Sequence, residues 1–233
     1  MSTSFTSFTS AAVRAVLFDM DGTLIDSTAA IERVWTDLAV RRALPVPDVL
    51  AALPGRTAHD ILAGFLADPA EVEAEAARLR SVQLSAVDGI EPLPGARELT
   101  ASLPPERWAV VTAAPEGVAR ARLAAAGLPV PVVLIGEESV TRGKPDPEGY
   151  ARAARALGAE PSECVVFEDA EVGLRAGRAA GARCVGLGPA VAASPNADAW
   201  LPDLRGITVT AVAAGGALEL RLPVAGHPSG SPR

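Results

Sequence analysis

Five short apolar runs, Ala15–Phe18, Trp108–Val111, Val132–Ile135, Cys164–Phe167 and Arg183–Gly186, stand between turn residues and read as buried strands. Between the later runs lie three segments of helical character: Gly117–Ala126, Pro147–Leu157 and Ala170–Ala180. Each is followed by a glycine, Gly127, Gly158 or Gly181, the residue that most readily takes the left-handed turn ending a helix. Strands alternating with helices predict an α/β fold, a doubly wound, Rossmann-like parallel sheet with helices on both faces.

The stretch 27–93 breaks this alternation. It holds helical segments, Ala29–Arg41, Ala58–Ala67 and Ala70–Leu84, punctuated by Pro45, Pro47, Pro54 and Pro69. An interval this long is not an ordinary strand-to-helix connection and predicts an inserted helical subdomain. Such an insertion sits over the carboxyl ends of the strands, where open parallel sheets bind ligands. The expected layout is a disordered arm over 1–12, a core from 13–26 and 94–221, the insertion over 27–93, and a Pro/Gly-rich disordered tail over 222–233.

Composition narrows the function classes. With 233 residues, 49% of them hydrophobic, the chain can bury a sizeable core. The net charge of −7 and the lack of a Lys/Arg run argue against nucleic acid and against an anionic membrane surface as partners. Two cysteines, Cys164 and Cys184, are too few for a disulfide framework and read as reduced core residues. No apolar stretch approaches a membrane span, and Met1–Ser10 lacks the basic start and apolar centre of a secretory signal. A cytoplasmic monomer is expected.

The chemistry concentrates where apolar runs end. Ala15–Phe18 runs into Asp19, with Asp21 and Gly22 just beyond. Strand alternation would point Asp19 and Asp21 the same way, two acids suited to a hard cation such as Mg²⁺. Thr112 follows the second run; its hydroxyl and the next N–H, that of Ala113, could hold an anion oxygen, although a helix N-cap is the commoner use of such a Thr. Lys144, in Arg142-Gly143-Lys144-Pro145-Asp146-Pro147, is a compact point charge suited to phosphate, or a solvated loop lysine. Glu168 and Asp169 end the fourth run and could add carboxylates for the same cation, or cap the following helix. In a parallel sheet all four strand ends share one edge.

This pattern resembles the phosphohydrolase branch of the haloacid dehalogenase superfamily. The matching residues are F-D-M-D-G-T-L-I-D-S over Phe18–Ser27, V-V-T ending at Thr112, G-K-P-D-P-E-G-Y over Gly143–Tyr150 and F-E-D-A over Phe167–Ala170. The resemblance implies that Asp19 is the nucleophile, forming an aspartyl-phosphate, and Asp21 the general acid and then base. It implies that Thr112, Ala113 and Lys144 bind the phosphoryl group. Mg²⁺ would be held by Asp19, Asp169 with Glu168 close by, and the Asp21 backbone carbonyl. An acid at Asp21 favours an oxygen leaving group over a halide. Ala113 and Ala114 stand where relatives often carry Ser or Asn, and Ala170 where many carry Ser.

By the same resemblance the insertion is a cap that closes over a small substrate, with hinges at Asp26–Thr28 and Glu91–Gly95. Within it Arg56, His59 and Glu32 are candidates for substrate specificity. Thr57 with Asp60 fits a helix N-cap equally well, and Trp35 and Phe65 read as core. The expected activity is Mg²⁺-dependent hydrolysis of a small phosphorylated sugar or polyol. A phosphomutase of the β-phosphoglucomutase type and a catalytically silent binding module on the same fold are the alternatives.

Overall fold

Ala15–Phe18 is completely buried along its whole length, because it lies in the middle of a sheet covered on both faces. The structure, a computed structural model, describes residues 10–211 and 217–223. In chain order the elements are β1 (Ser10–Val13), β2 (Ala15–Phe18), β3 (Ile25–Asp26), α1 (Thr28–Arg41), α2 (Val46–Ala51), α3 (Ala58–Ala63), α4 (Pro69–Ser85), β4 (Glu91–Pro92), α5 (Ala96–Ser102), β5 (Trp108–Val111) and α6 (Glu116–Ala125). There follow β6 (Val133–Ile135), α7 (Glu148–Ala156), β7 (Cys164–Glu168), α8 (Glu171–Ala180), β8 (Arg183–Leu187), β9 (Ala199–Leu201), β10 (Thr208–Ala211) and β11 (Leu218–Arg221).

The main sheet is parallel, in the order β6-β5-β2-β7-β8-β9. Alternation in β2 divides the core. Ala15 and Leu17 pack with Tyr150 of α7 and Leu174 of α8, while Val16 and Phe18 pack with Leu99 of α5 and Leu123 of α6. The Phe18 ring stacks on Phe167 at 5.3 Å between centroids. Burial of rings and branched aliphatics of this kind stabilises the sheet by about 1.5–3 kcal/mol per side chain. In the sheet register Phe18 lies opposite Val110 on one side and Phe167 on the other. The residues just past these strands therefore emerge level at one edge.

Between β3 and β4, which pair as a two-stranded antiparallel ribbon, α1 to α4 pack on one another. Val34, Trp35 and Leu38 of α1 bury against Ile61 and Leu62 of α3 and Leu79 of α4. Arg41 forks onto both oxygens of Glu75 at 2.8 and 2.7 Å, and these hydrogen bonds hold Glu75 below the usual carboxylate range. No helix among the described residues is long and apolar enough to cross a membrane. Both cysteines are buried and free.

The structure corrects several expectations. Residues 10–12 of the expected arm belong to β1, which pairs with β11 in a three-stranded antiparallel sheet with β10. Of the expected tail, Leu222 is buried in the core. The rest of both terminal segments, 1–9 and 224–233, lies outside the described residues. The sheet has a sixth strand, β9, and helices α2 and α5 lie where none was expected. These elements are too short to show a hydrophobic period; tertiary packing makes them. The expected helix over Ala58–Ala67 stops at Ala63.

Candidate active site

The chain leaves β2 at Phe18, and the carbonyl of Met20 immediately accepts from the N–H groups of Thr23, Leu24 and Ile25. This turn breaks strand alternation, so Asp19 and Asp21 do not point the same way, contrary to the expectation from an extended chain. The Asp19 carboxylate meets Lys144, in the loop that leads into α7. Asp21 swings to the α6 side. Gly22 makes the turn possible with φ +88°, and a Cβ there would also collide with the carboxylate of Asp169.

Asp19 is buried, and its N–H donates to the Phe167 carbonyl at 3.0 Å. Its Oδ1 accepts from Lys144 Nζ at 2.5 Å, and the same ammonium donates to Glu168 Oε1 at 2.5 Å. Asp19 Oδ2 accepts nothing among the described residues and is open to a ligand. The Lys144 loop is cross-braced: Glu148 Oε2 accepts from the Thr141 and Arg142 N–H groups, and Asp146 Oδ1 from the Glu148 N–H. Burial alone would lower the Lys144 pKa, but the charges of Asp19 and Glu168 outweigh it and raise it.

Glu168, the last residue of β7, also accepts from Tyr150 Oη at 2.8 Å, while its Oε2 accepts from the Ala170 N–H at 3.1 Å. The carboxylate lies against α8 where Gly173 has no side chain; a Cβ there would overlap it. Asp169 is held more loosely, by Thr23 Oγ1 at 3.4 Å. Carboxylate oxygens of Asp19, Glu168 and Asp169 lie within 4.8 Å of one another.

Three acids share one ammonium in a buried place, and the electrostatics register the excess. Burial first, then the charges of Glu168 and Asp169, push Asp19 well above the usual carboxylate range despite Lys144. Burial and the charge of Glu168 push Asp169 from 3.8 to about 7. A hard divalent cation relieves such crowding, and an all-oxygen donor set suits Mg²⁺. The residues present fit that ion.

The Asp21 carboxylate stands outside this cluster. Ser27 Oγ donates to its Oδ1 at 2.5 Å, and Arg122 Nη1 donates to both oxygens at 3.0 Å. Arg122 is buried on α6 and its Nε has no hydrogen-bond partner. Sequence reasoning gives neither Ser27 nor Arg122 a role. A signal for Arg122 exists: it sits with Val118, Ala119 and Leu123 on the buried stripe of α6, where a charge is out of place.

Asp19, Asp21, Thr112, Ala113, Glu168 and Asp169 all open onto one cavity of about 250 Å³ beneath the inserted helices. Lys144 reaches it through its contacts to Asp19 and Glu168. The Thr112 hydroxyl accepts from the Ala114 N–H at 3.1 Å, whereas the N–H groups of Met20, Asp21 and Ala113 find no acceptor among the described residues. Unpaired N–H groups beside a buried ammonium suit an anionic oxygen.

The insertion candidates divide. Glu32 and Arg56 line the cavity. His59 does not: it is half exposed and lies 3.4 Å from Glu73. It sits on the first turn of α3, whose geometry is set by the Thr57 N-cap accepting from the Asp60 N–H, and that turn directs it away from the core.

A sequence profile of the haloacid dehalogenase-like hydrolase family matches residues 13–181. Hexitol phosphatase A of Escherichia coli (strain K12) is 42% identical over 204 residues, covering 84% of this chain and 94% of that protein. Validoxylamine A 7'-phosphate phosphatase of Streptomyces hygroscopicus subsp. limoneus is 39% identical over 202 residues, covering 82% and 94%. The crystal structure of a hydrolase from Pseudomonas syringae superposes with a TM-score of 0.70 at 25% identity, covering 82% of this chain and 94% of that one.

Proposed function

This chain belongs to the haloacid dehalogenase-like hydrolase family, and we propose that it hydrolyses the phosphate monoester of a small sugar or polyol through an aspartyl-phosphate on Asp19. The observation that carries the reading is the division of labour between the two acids. Asp19 sits with Lys144, Glu168 and Asp169, and Asp21 sits apart on Ser27 and Arg122, both opening onto one small cavity. The phosphatase relatives support the substrate class.

In the proposed cycle the free Oδ2 of Asp19 attacks phosphorus. The bond from phosphorus to the sugar oxygen breaks, and protonated Asp21 gives that oxygen its proton. Asp21, now ionised, takes a proton from water as the water attacks the phosphorus of the aspartyl-phosphate. Inorganic phosphate leaves and Asp19 is regenerated. Splitting one difficult displacement into two is the gain from covalent catalysis. Proton transfer by a positioned carboxyl serves both halves. Lys144 and the N–H groups of Met20, Asp21 and Ala113 offset charge on the transferring group without having to reorganise. Mg²⁺, when bound by Asp19, Glu168, Asp169 and the Asp21 carbonyl, supplies further neutralisation of the phosphoryl oxygens. The helical insertion serves as a cap that excludes water from the covalent step.

A panel of sugar and polyol phosphates assayed for free phosphate and for isomers tests the reading. Phosphate release from hexitol phosphates is expected. Interconversion of isomers without phosphate release would contradict hydrolysis and identify a mutase, and no reaction with any monoester would leave only a binding role.

A further inference from the structure

The buried face of α4 runs Val72, Glu75, Ala76, Leu79 and Gln83. Two polar residues interrupt this stripe and they differ in one respect. Glu75 is paired with Arg41. Gln83 is only 6% exposed, yet its amide makes no hydrogen bond among the described residues. Its amide atoms are not sealed off, since the enclosed unpaired side-chain atoms among the described residues are Arg14 Nε and Arg122 Nε, so the Gln83 amide is free to meet a partner. Gln83 faces the cavity that holds Asp19 and Asp21. A ligand atom in that cavity can therefore reach an amide that no protein group engages.

The surroundings state what kind of atom. An amide offers two donors and an acceptor, and a hydroxyl likewise both donates and accepts. An anion would use only donors. The cavity already has cationic groups for that purpose, since Arg122 and Arg56 line it alongside Gln83. The wall nearest in kind is apolar, made by Ile31, Trp35, Leu50 and Ile61, and suits the C–H face of a carbon chain. A volume of about 250 Å³ falls just below the roughly 300–1,000 Å³ usual for drug-sized ligands and fits a small metabolite.

We propose that Gln83 is a specificity residue that hydrogen-bonds a hydroxyl on the substrate's carbon chain, beyond the phosphate. This deepens the phosphatase reading and rests on it. The test compares wild type with Gln83→Met, which keeps length and removes both polar atoms, and with Gln83→Leu as a second variant. Hexitol phosphate and phenyl phosphate, which has no hydroxyl chain, are the substrates. The expected result is a fall of about 10-fold in the ratio of kcat/KM for hexitol phosphate to that for phenyl phosphate, carried mainly by KM. The thermal midpoint of the ligand-free variants is expected to hold, because the amide has no protein hydrogen bond to lose. An unchanged ratio overturns the proposal, as does a fall in midpoint with equal loss on both substrates, which marks a structural residue. Wild type that hydrolyses phenyl phosphate but no polyol or sugar phosphate would instead overturn the substrate reading on which the proposal stands.

Discussion

Lys144→Met removes the one ammonium that faces Asp19 and Glu168, each 2.5 Å away, in a place where Lys144 and Glu168 are almost entirely enclosed. Taking one partner from a buried ion pair typically costs about 3–5 kcal/mol, because the remaining charge is left without compensation. For a domain of this size each kcal/mol moves the thermal midpoint by roughly 2–4 °C, so a fall of about 6–20 °C is expected without added metal. The loss should shrink as pH falls. Asp169 titrates near 7 in the folded protein against an ordinary 3.8, and Asp19 is also raised. A raised acid means that the folded state holds more protons than the unfolded one between those two values, so stability increases as pH falls through that window. Differential scanning calorimetry in EDTA at about pH 8 and about pH 5 gives both quantities. A deficit below about 2 °C, or one that grows on acidification, would refute the picture of excess buried negative charge.

Mg²⁺ should raise the thermal midpoint of the wild type, and by more near pH 8 than near pH 5, because acidification protonates Asp169, which the ion needs ionised; equal shifts at both pH values would count against this ligand. Chelation should remove turnover and Mg²⁺ restore it in a phosphate-release assay. Gly173→Ala places a Cβ into the Glu168 carboxylate and is expected to cost about 1–3 kcal/mol in chemical denaturation while weakening Mg²⁺ binding measured by calorimetry. Arg122→Met leaves Asp21 on Ser27 alone and is expected to lower kcat by about 10- to 100-fold with a smaller change in KM, with partial recovery in Arg122→Lys.

Much of the site is legible in the chain because two devices repeat. Three apolar runs of the central sheet, ending at Phe18, Val111 and Phe167, run straight into a chemical residue, and parallel pairing brings those ends to one edge. Asp19, Thr112, Glu168 and Asp169 can be placed without a structure for that reason. Lys144 follows from its loop. What stays hidden depends on contacts across the fold. Asp21 turns away from Asp19 because Met20 closes a tight turn, which alternation cannot foresee. Arg122 and Gln83 lie on helices whose buried stripes are interrupted by a polar residue, a signal present in the sequence but without meaning until the opposite wall is known. His59 shows the reverse: a residue type suited to chemistry, placed by a helix cap on the outer side. Short edge elements such as β1 and β9 carry too few residues for any period to show, and exist because a sheet was there to receive them.

The central claim is that Asp19 carries the phosphoryl group between substrate and water. Acid-quenched enzyme turning over hexitol phosphate, digested and examined by mass spectrometry, tests it most directly. The account predicts that the peptide containing Asp19 gains the mass of one phosphoryl group, and that Asp19→Asn shows neither the adduct nor turnover. Undiminished phosphate release by Asp19→Asn, or a phosphoryl adduct on another residue, would contradict it.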